Sequence, residues 1–300
     1  MRALQFTEYG SPEVLRWAEA EEGHAGAGQV RVAVRAAGVN PIDWKKMSGL
    51  LSGGKPLAGT AYLGIDAAGV VDEVGDGVTG VSVGDDVFGW GRHTQAEYAL
   101  LDAWVAKPAS VDWAVAGAAG VAGEAAERGL RLLNVKAGDT VFIDGGAGGV
   151  GATAVQMAVA RGAKVIASGG EDNVDYLREI GATPVLYGKG VAARVLAAAG
   201  GPVDAVFDVA GKTPPEDLVG LAPEPSQVVT IANFDARRLG VRATGGGSDT
   251  HAAEALALTA ELLVQNKLVI KVQTFPFERA AEAYGLSQGG HVRGKLVLVP

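Results

Sequence analysis

The residues whose spacing most clearly implies chemistry are Gly146-Ala-Gly148-Gly-Val-Gly151. They follow the apolar run Val141-Phe-Ile-Asp144 and open a stretch of helical period from Val150 to Arg161. In a strand–turn–helix setting, a G-x-G-x-x-G string holds the pyrophosphate of a dinucleotide. Gly146 and Gly148 permit a tight turn, the amides near Gly149 and Val150 meet the phosphates, and Gly151 lets helix and strand approach. The positive end of the helix dipole adds to the attraction. With 45 glycines in the chain a chance match is easy, so the weight rests on the flanking strand and helix. The turns holding Val209 and Ala210, and Ile231 and Ala232, are expected to complete the cofactor's cradle.

Which dinucleotide binds is decided at the end of the next strand, about 20 residues past the glycines. An acid there would hold the ribose hydroxyl and repel a 2′-phosphate, whereas this chain has Ala167-Ser168-Gly169-Gly170. Ser168 can donate to a phosphate, the glycines leave room for one, and Lys189 is the nearest counter-charge, so NADPH is expected. Glu171 and Asp172 follow directly and oppose that choice, and Ser168 can also serve as a helix N-cap.

These residues need a scaffold of alternating strands and helices, and the pattern supplies one. Beyond the Ala-rich helix at 114–133, strands are predicted at Thr140–Asp144, Lys164–Ala167, Pro184–Leu186, Val203–Phe207 and Gln227–Ile231. Helices fall between them at 150–161, Val174–Ile180, Val191–Ala199 and Glu216–Leu221. Near-continuous apolar strands separated by helices imply βαβ units and a buried parallel sheet. Residues 1–115 read instead as mostly β, with alternating runs at Ala3–Phe6, Gln29–Ala36, Ala68–Val74 and Asp86–Phe88. A helix at His251–Asn266, a strand at Val269–Val272, a helix at Phe277–Ser287 and a last strand at Lys295–Val299 are expected to return to that first domain. The fold class is thus α/β: a β-rich domain of residues 1–115 and 267–300, and a Rossmann doubly wound parallel-sheet domain of 116–266.

Composition narrows the function. A net charge of −8 and the absence of any Lys/Arg run argue against nucleic acid as a partner. Every apolar stretch is interrupted before it could span a membrane, and Met1-Arg-Ala-Leu-Gln-Phe6 alternates like a strand rather than forming a leader, so a cytoplasmic location is expected. The chain has no cysteine, which removes disulfides, thiolate ligands and a thiol nucleophile.

Several strings together resemble the zinc-independent quinone oxidoreductases of the medium-chain dehydrogenase/reductase superfamily, a group with zeta-crystallin-like and enoyl reductase members. They are Met1-Arg-Ala-Leu-Gln-Phe6, Tyr9-Gly-Ser-Pro-Glu-Val-Leu15, Ala36-Ala-Gly-Val-Asn-Pro-Ile-Asp43, Leu63-Gly-Ile-Asp-Ala-Ala-Gly-Val-Val71, Val83-Gly-Asp-Asp-Val-Phe88 and Gly290-His-Val-Arg-Gly-Lys-Leu-Val-Leu298. The resemblance implies a GroES-like catalytic domain beside the Rossmann domain, an active site in the cleft between them and a homodimer. It implies hydride transfer from NADPH to a small electrophile, either a quinone or an α,β-unsaturated carbonyl. An enoyl-thioester or biosynthetic tailoring reductase, and a non-catalytic NADPH-binding protein, stand as alternatives.

The resemblance also suggests site residues. Asn40 corresponds to an Asn close to the nicotinamide ribose and substrate, though capping the turn before Pro41 is an equal alternative. Lys46 is a candidate polarising cation or a partner for Asp43, and Tyr62 a candidate hydrogen-bond donor or a packing residue. Where the zinc branch has Gly-His-Glu, this chain has Gly64-Ile65-Asp66, and His24, His93, His251 and His291 lack ligand spacing, so no metal is expected. Surface or loop positions are expected for all four, with a mild functional case for His93 alone. Glu124 stands where relatives usually carry Thr, and cofactor contact, proton relay and solvent exposure are all open to it.

Overall fold

The computed structural model describes every residue except His291, so the reading of that histidine as a loop residue lies outside the described residues. In chain order the strands of the first part are β1 (Arg2–Phe6), β2 (Arg16–Glu19), β3 (Val30–Val39), β4 (Ala61–Tyr62), β5 (Asp66–Val74), β6 (Asp86–Arg92) and β7 (Tyr98–Ala106), with helices α1 (Pro41–Met47) and α2 (Trp113–Leu132). There follow β8 (Thr140–Asp144), α3 (Gly149–Ala160), β9 (Lys164–Gly169), α4 (Val174–Glu179), β10 (Ala182–Leu186), α5 (Val191–Ala199), β11 (Ala205–Asp208), α6 (Pro215–Val219), β12 (Val228–Thr230) and β13 (Arg242–Ala243). The tail adds α7 (Ala252–Val264), β14 (Val272–Pro276), α8 (Ala280–Gly289) and β15 (Lys295–Val299).

The chain divides into two compact units. The first comprises Met1–Val121, Ala252–Val264 and Ile270–Pro300; the second comprises Ala122–His251 and Gln265–Val269. Its first boundary falls inside α2, a few residues beyond the predicted one. The larger difference is α7, expected with the Rossmann residues but grouped with the first unit, where it packs on β7 through a buried face that includes Ala255, Leu256 and Thr259.

In the first unit six strands run in the order β14-β15-β3-β5-β6-β7, with β7 also pairing with β3, and β2-β1-β4 form a small separate sheet. Strand β3 has ten residues because it serves different neighbours along its length. Its first half pairs with β7 from Val30 to Ala33, and its second half with β15 from Ala37 to Val39. The last strand therefore closes the sheet that the third one began, and Leu296 and Leu298 join Val32, Val34 and Phe6 in one core.

The second unit is a single parallel sheet, β10-β9-β8-β11-β12-β13, the doubly wound order that reverses between β8 and β11. Val141, Phe142 and Ile143 are buried, as strands covered on both faces require. The strand predicted at Val269–Val272 starts only at Val272, because the Gln156 side chain captures the Val269 backbone. The Val269 N–H donates to Gln156 Oε1 at 2.8 Å, and Gln156 Nε2 donates to the Val269 carbonyl at 3.0 Å.

Candidate functional site

In the second unit the parallel strands deliver their carboxyl ends to one edge, where such sheets bind ligands. The turn after β8 carries the glycines. The left-handed conformation falls on Gly145 (φ 90°), one residue ahead of the motif's first glycine. Gly151 is held against that turn, since a Cβ there would lie 2.1 Å from the Gly145 carbonyl oxygen. Gly148 caps α3 without a side-chain hydrogen bond, so the first-turn amides of Gly149, Val150 and Gly151 have neither an intrahelical acceptor nor a capping side chain. A Cβ on Gly145 would meet Ala210 and Val209, and one on Gly211 would meet Ala232, so the turns after β11 and β12 adjoin the Gly-rich turn in sequence. The Val209 N–H donates to the Asp144 carbonyl at 3.1 Å and the Ile231 N–H to that of Asp208 at 3.0 Å. The residues present fit a dinucleotide: backbone donors converge, and no side chain fills the turn.

Beneath this edge lies a buried row of polar side chains. The Ser168 hydroxyl donates to Asp144 Oδ1 and accepts from the Gly145 N–H at 2.8 Å. Asp208 accepts from the N–H groups of Ala210 (3.1 Å) and Gly211 (2.7 Å) and from the Thr230 hydroxyl (2.7 Å). Thr230 Oγ1 in turn accepts from Ala232 and Asn233. Asp208 faces Asp144 across the β8–β11 register; burial, and secondarily that neighbouring charge, push its carboxyl above the usual range.

Ser168 turns inward: it is 1% exposed, its hydroxyl is engaged on both sides, and the residue that caps the following turn is Gly170. β9 runs two residues further than predicted, to Gly169, and the turn that follows meets the loop after β10. There the Tyr187 N–H donates to the Gly169 carbonyl at 3.1 Å, and a Cβ on Gly170 would sit 3.3 Å from the Tyr187 ring. Tyr187 and Lys189 are exposed, and Arg194 ties the loop by donating to the carbonyls of Leu186, Tyr187, Gly188 and Lys189. The sequence reading placed a counter-charge at Lys189 in this loop and did not name Tyr187.

In the first unit Asn40, Asp43, Asp66, Gln95, Tyr284 and Lys295 form a buried network. Asn40 begins α1 ahead of Pro41, and Asp43, three residues on, accepts from the Asn40 N–H at 3.0 Å, one half of a capping box. Its other oxygen accepts from the Gly64 N–H at 3.2 Å. Asp66 accepts from Asn40 Nδ2 at 2.8 Å and from the Val121 N–H of α2 at 2.9 Å. Lys295 donates to Asn40 Oδ1 and to the Val39 carbonyl, and the Tyr284 hydroxyl donates to Gln95 Oε1 at 2.8 Å. Burial pushes the Asp43 carboxyl up to about 6, and burial holds the Lys295 ammonium below its usual value against the pull of Asp66 and Asp43.

Asn40 takes the capping role that the sequence left open: it is the N-cap residue of α1 ahead of Pro41, 2% exposed, with its amide committed to Asp66 and Lys295. One further expectation changes here. Asp43 turns inward to backbone amides rather than pairing with Lys46, which is exposed. Lys46 instead lies close enough to His93 to depress its pKa, alongside Arg92, while burial is the larger cause. The His93 ring tilts on Tyr62 with centroids 5.2 Å apart. Lys46, Tyr62, Arg92 and His93 thus form one corner. Glu124 is buried in the second unit: Arg128 Nε donates to it at 2.9 Å, and Arg128 Nη1 donates to the hydroxyl of Thr244 at 3.0 Å, tying α2 to the segment after β13.

Comparison with known proteins agrees with this architecture. Residues 26–127 match the alcohol dehydrogenase GroES-like domain, and residues 180–298 match the zinc-binding dehydrogenase domain. A quinone oxidoreductase from Coxiella burnetii is 30% identical over 100% of this chain and 99% of its own, with a TM-score of 0.86. A mycobacterial protein complexed with NADPH is 28% identical, covers all of both chains and has a TM-score of 0.88. The quinone oxidoreductase of Rattus norvegicus is 35% identical over 182 residues, 57% of this chain and 54% of that protein. The fold is that of the medium-chain dehydrogenases/reductases, and the chain belongs to their quinone oxidoreductase family.

Two outcomes follow from the buried groups. Ser168→Ala strips a partner from both Asp144 and the Gly145 N–H, and should cost roughly 1–3 kcal/mol in urea unfolding while leaving the NADPH-to-NADH preference within about twofold. A tenfold change in preference would restore Ser168 to the phosphate site. For Asp43, a folded value above 3.8 means the fold favours the protonated acid. That stability is complete below about pH 4 and is lost as pH rises through about 6. Asp43→Asn cannot ionise, so wild-type stability relative to the variant should decline by up to roughly 3 kcal/mol between about pH 4 and 7; a constant difference refutes the assignment.

Proposed function

We propose that the chain is a zinc-independent oxidoreductase that uses NADPH to reduce a quinone or an α,β-unsaturated carbonyl. The observation that carries the reading is the turn at Gly145–Gly151: Gly145, Gly146 and Gly151 admit no side chain, and three helix-start amides without an intrahelical acceptor or capping side chain stand at the carboxyl edge of a parallel sheet. The relative solved with NADPH supports that choice of nucleotide. Gly149, Val150 and Gly151 would hold the pyrophosphate, the turns at Val209–Ala210 and Ile231–Ala232 would bound the cofactor, and Gly169, Tyr187 and Lys189 would receive the 2′-phosphate. When bound, NADPH supplies the hydride.

The first unit contributes donors for the acceptor. Lys46 and Tyr62 are the groups that would polarise its oxygen and stabilise the charge that develops there. Among the described residues no cluster of ligating side chains offers a metal that task. The chain lacks cysteine, and both Asp66 oxygens are taken by Asn40 and Val121. An acceptor whose anion is already delocalised, as in a quinone or enone, needs the least help, and water can deliver the final proton. A homodimer in the cytoplasm belongs to the same reading, and light scattering tests its oligomeric part.

Gly151→Val should raise the Kd for NADPH by more than about tenfold, roughly 1.4 kcal/mol, in a protein whose circular dichroism is unchanged. Undiminished binding by that folded variant would displace the cofactor from this turn. Chelator-treated protein should retain NADPH oxidation with benzoquinone or a vinyl ketone; activity that returns only with added zinc would reassign the enzyme to the metal-dependent branch.

A further inference from the structure

Within the second unit, Asp208 at the end of β11 is in register with Asp144 on β8 to one side and with Thr230 on β12 to the other. Residues in register on neighbouring parallel strands point to the same face of the sheet. The two carboxyls are therefore side by side, and both are almost fully buried. Among the described residues no cation pairs with either. Lys212, the nearest along the chain, is exposed, and Arg128, which reaches the segment after β13, is already paired with Glu124. The charge that faces Asp208 is that of Asp144, and Asp144 Oδ2 is buried without a hydrogen-bond partner among the described residues. Two carboxylates in such a place resist ionising together, so the pair retains a proton where an ordinary aspartic acid has lost its own. Burial first, and the Asp144 charge second, raise the Asp208 carboxyl above its usual range, which makes it the holder of that proton. The same acids grip the turns of the nucleotide edge. Asp208 accepts from the Ala210 and Gly211 N–H groups, and Asp144 reaches the Gly145 N–H through the Ser168 hydroxyl. Those two turns touch, since a Cβ on Gly145 would lie 2.8 Å from that of Ala210.

Building on the reading of the Gly-rich turn as the dinucleotide site, we propose that Asp144 and Asp208 are positioning residues that share one proton, and that a bound dinucleotide draws this proton onto the pair. The pyrophosphate brings negative charge to the turns that both acids hold. Its field opposes a second charge on the pair, just as Asp144 already opposes one on Asp208. The proton comes from solvent, no bond to the cofactor forms, and the Thr230 hydroxyl can donate or accept, so it partners Asp208 in either state. By linkage, a proton held more tightly in the complex than in the free protein makes binding pH-dependent. Affinity is greatest at low pH, where the pair is protonated in both states. It falls as pH rises through the range in which the free pair has ionised and the bound pair has not, and is level again above it.

Asp208→Asn separates this role from a purely structural one. Its amide oxygen still accepts from Ala210 and Gly211, but the position stays neutral at every pH. Calorimetric titration of the full chain with NADPH, in Pipes and in imidazole buffer at the same pH, measures the protons taken up on binding. The 2′-phosphate of NADPH titrates in the same range in both proteins, so the difference between them isolates the pair. Wild type should take up more protons than Asp208→Asn, and its Kd should rise at least about threefold more between about pH 5 and 9. A structural role alone would shift Kd by the same factor at every pH. Asp144→Asn removes the opposing charge instead, and should move the fall in affinity to lower pH; it also serves if Asp208→Asn does not fold. Parallel pH profiles in wild type and the folded variants, with equal proton uptake, overturn the proposal. Failure of wild type to bind NADPH at any pH sinks the reading of the Gly-rich turn itself, whereas tight binding with parallel profiles sinks only the proton coupling.

Discussion

Among the described residues four aspartates, Asp43, Asp66, Asp144 and Asp208, are removed almost completely from water, and the shape of both candidate sites follows from how each is held. A carboxylate stripped of solvent costs several kcal/mol unless donors replace the lost water. Here many of the donors are backbone N–H groups of the functional loops: Asn40 and Gly64 for Asp43, Val121 for Asp66, Ala210 and Gly211 for Asp208. A turn whose amides are committed to a buried acid has little freedom left. The acids therefore act as fixed points below the surface, and the groups exposed above them inherit their positions.

The two units solve the charge problem differently. In the parallel sheet, Asp144 and Asp208 face each other across adjacent strands and hydroxyls flank the pair, Ser168 on one side and Thr230 on the other. Burial, and secondarily the neighbouring charge of Asp144, raises the Asp208 carboxyl. In the first unit a lysine is brought in. Lys295 lies 255 residues after Asn40, and its ammonium reaches the Asn40 amide that also serves Asp66. The pairing of β15 with β3 makes that contact possible, so the tail completes the network as well as the sheet. Buried ionic groups of this sort contribute less to net stability than to selecting one arrangement, because a misregistered β15 would leave Asp66 and Asp43 without their cation.

Much of this was legible in the sequence where one local rule governed the outcome. β8 and β15 begin and end where their apolar runs do, and α5 lies between the two glycines that bound it. β7 was missed because Leu100, Asp102 and Trp104 break the clean alternation of a half-buried strand, and its place is set by pairing with β6 and β3. The Gly-rich turn was readable because phosphate binding by amides needs only backbone and space. Ser168 and Asn40 turn inward for a shared reason. Sequence position located both near a cofactor, but a short polar side chain can face inward or outward, and a buried acid nearby, invisible without the fold, decides which. The corner of Lys46, Tyr62, Arg92 and His93 draws on three separate segments, and no spacing rule relates them.

The inward claim on Asp66 also bears on the acceptors proposed above. A bound divalent metal acts as a Lewis acid worth several kcal/mol of charge stabilisation, and it needs about three open ligands. With Asp66 spent on holding α1 and α2 in place, the unit has exchanged a possible ligand for rigidity. What remains for a developing oxyanion is a set of individual donors, each typically worth about 3 kcal/mol where water is excluded. An isolated alkoxide, highly basic and localised, would strain that set. An enolate or hydroquinone anion spreads its charge and asks for less. Under the reading proposed above, the commitment of one buried carboxylate to architecture favours conjugated acceptors over simple carbonyl groups.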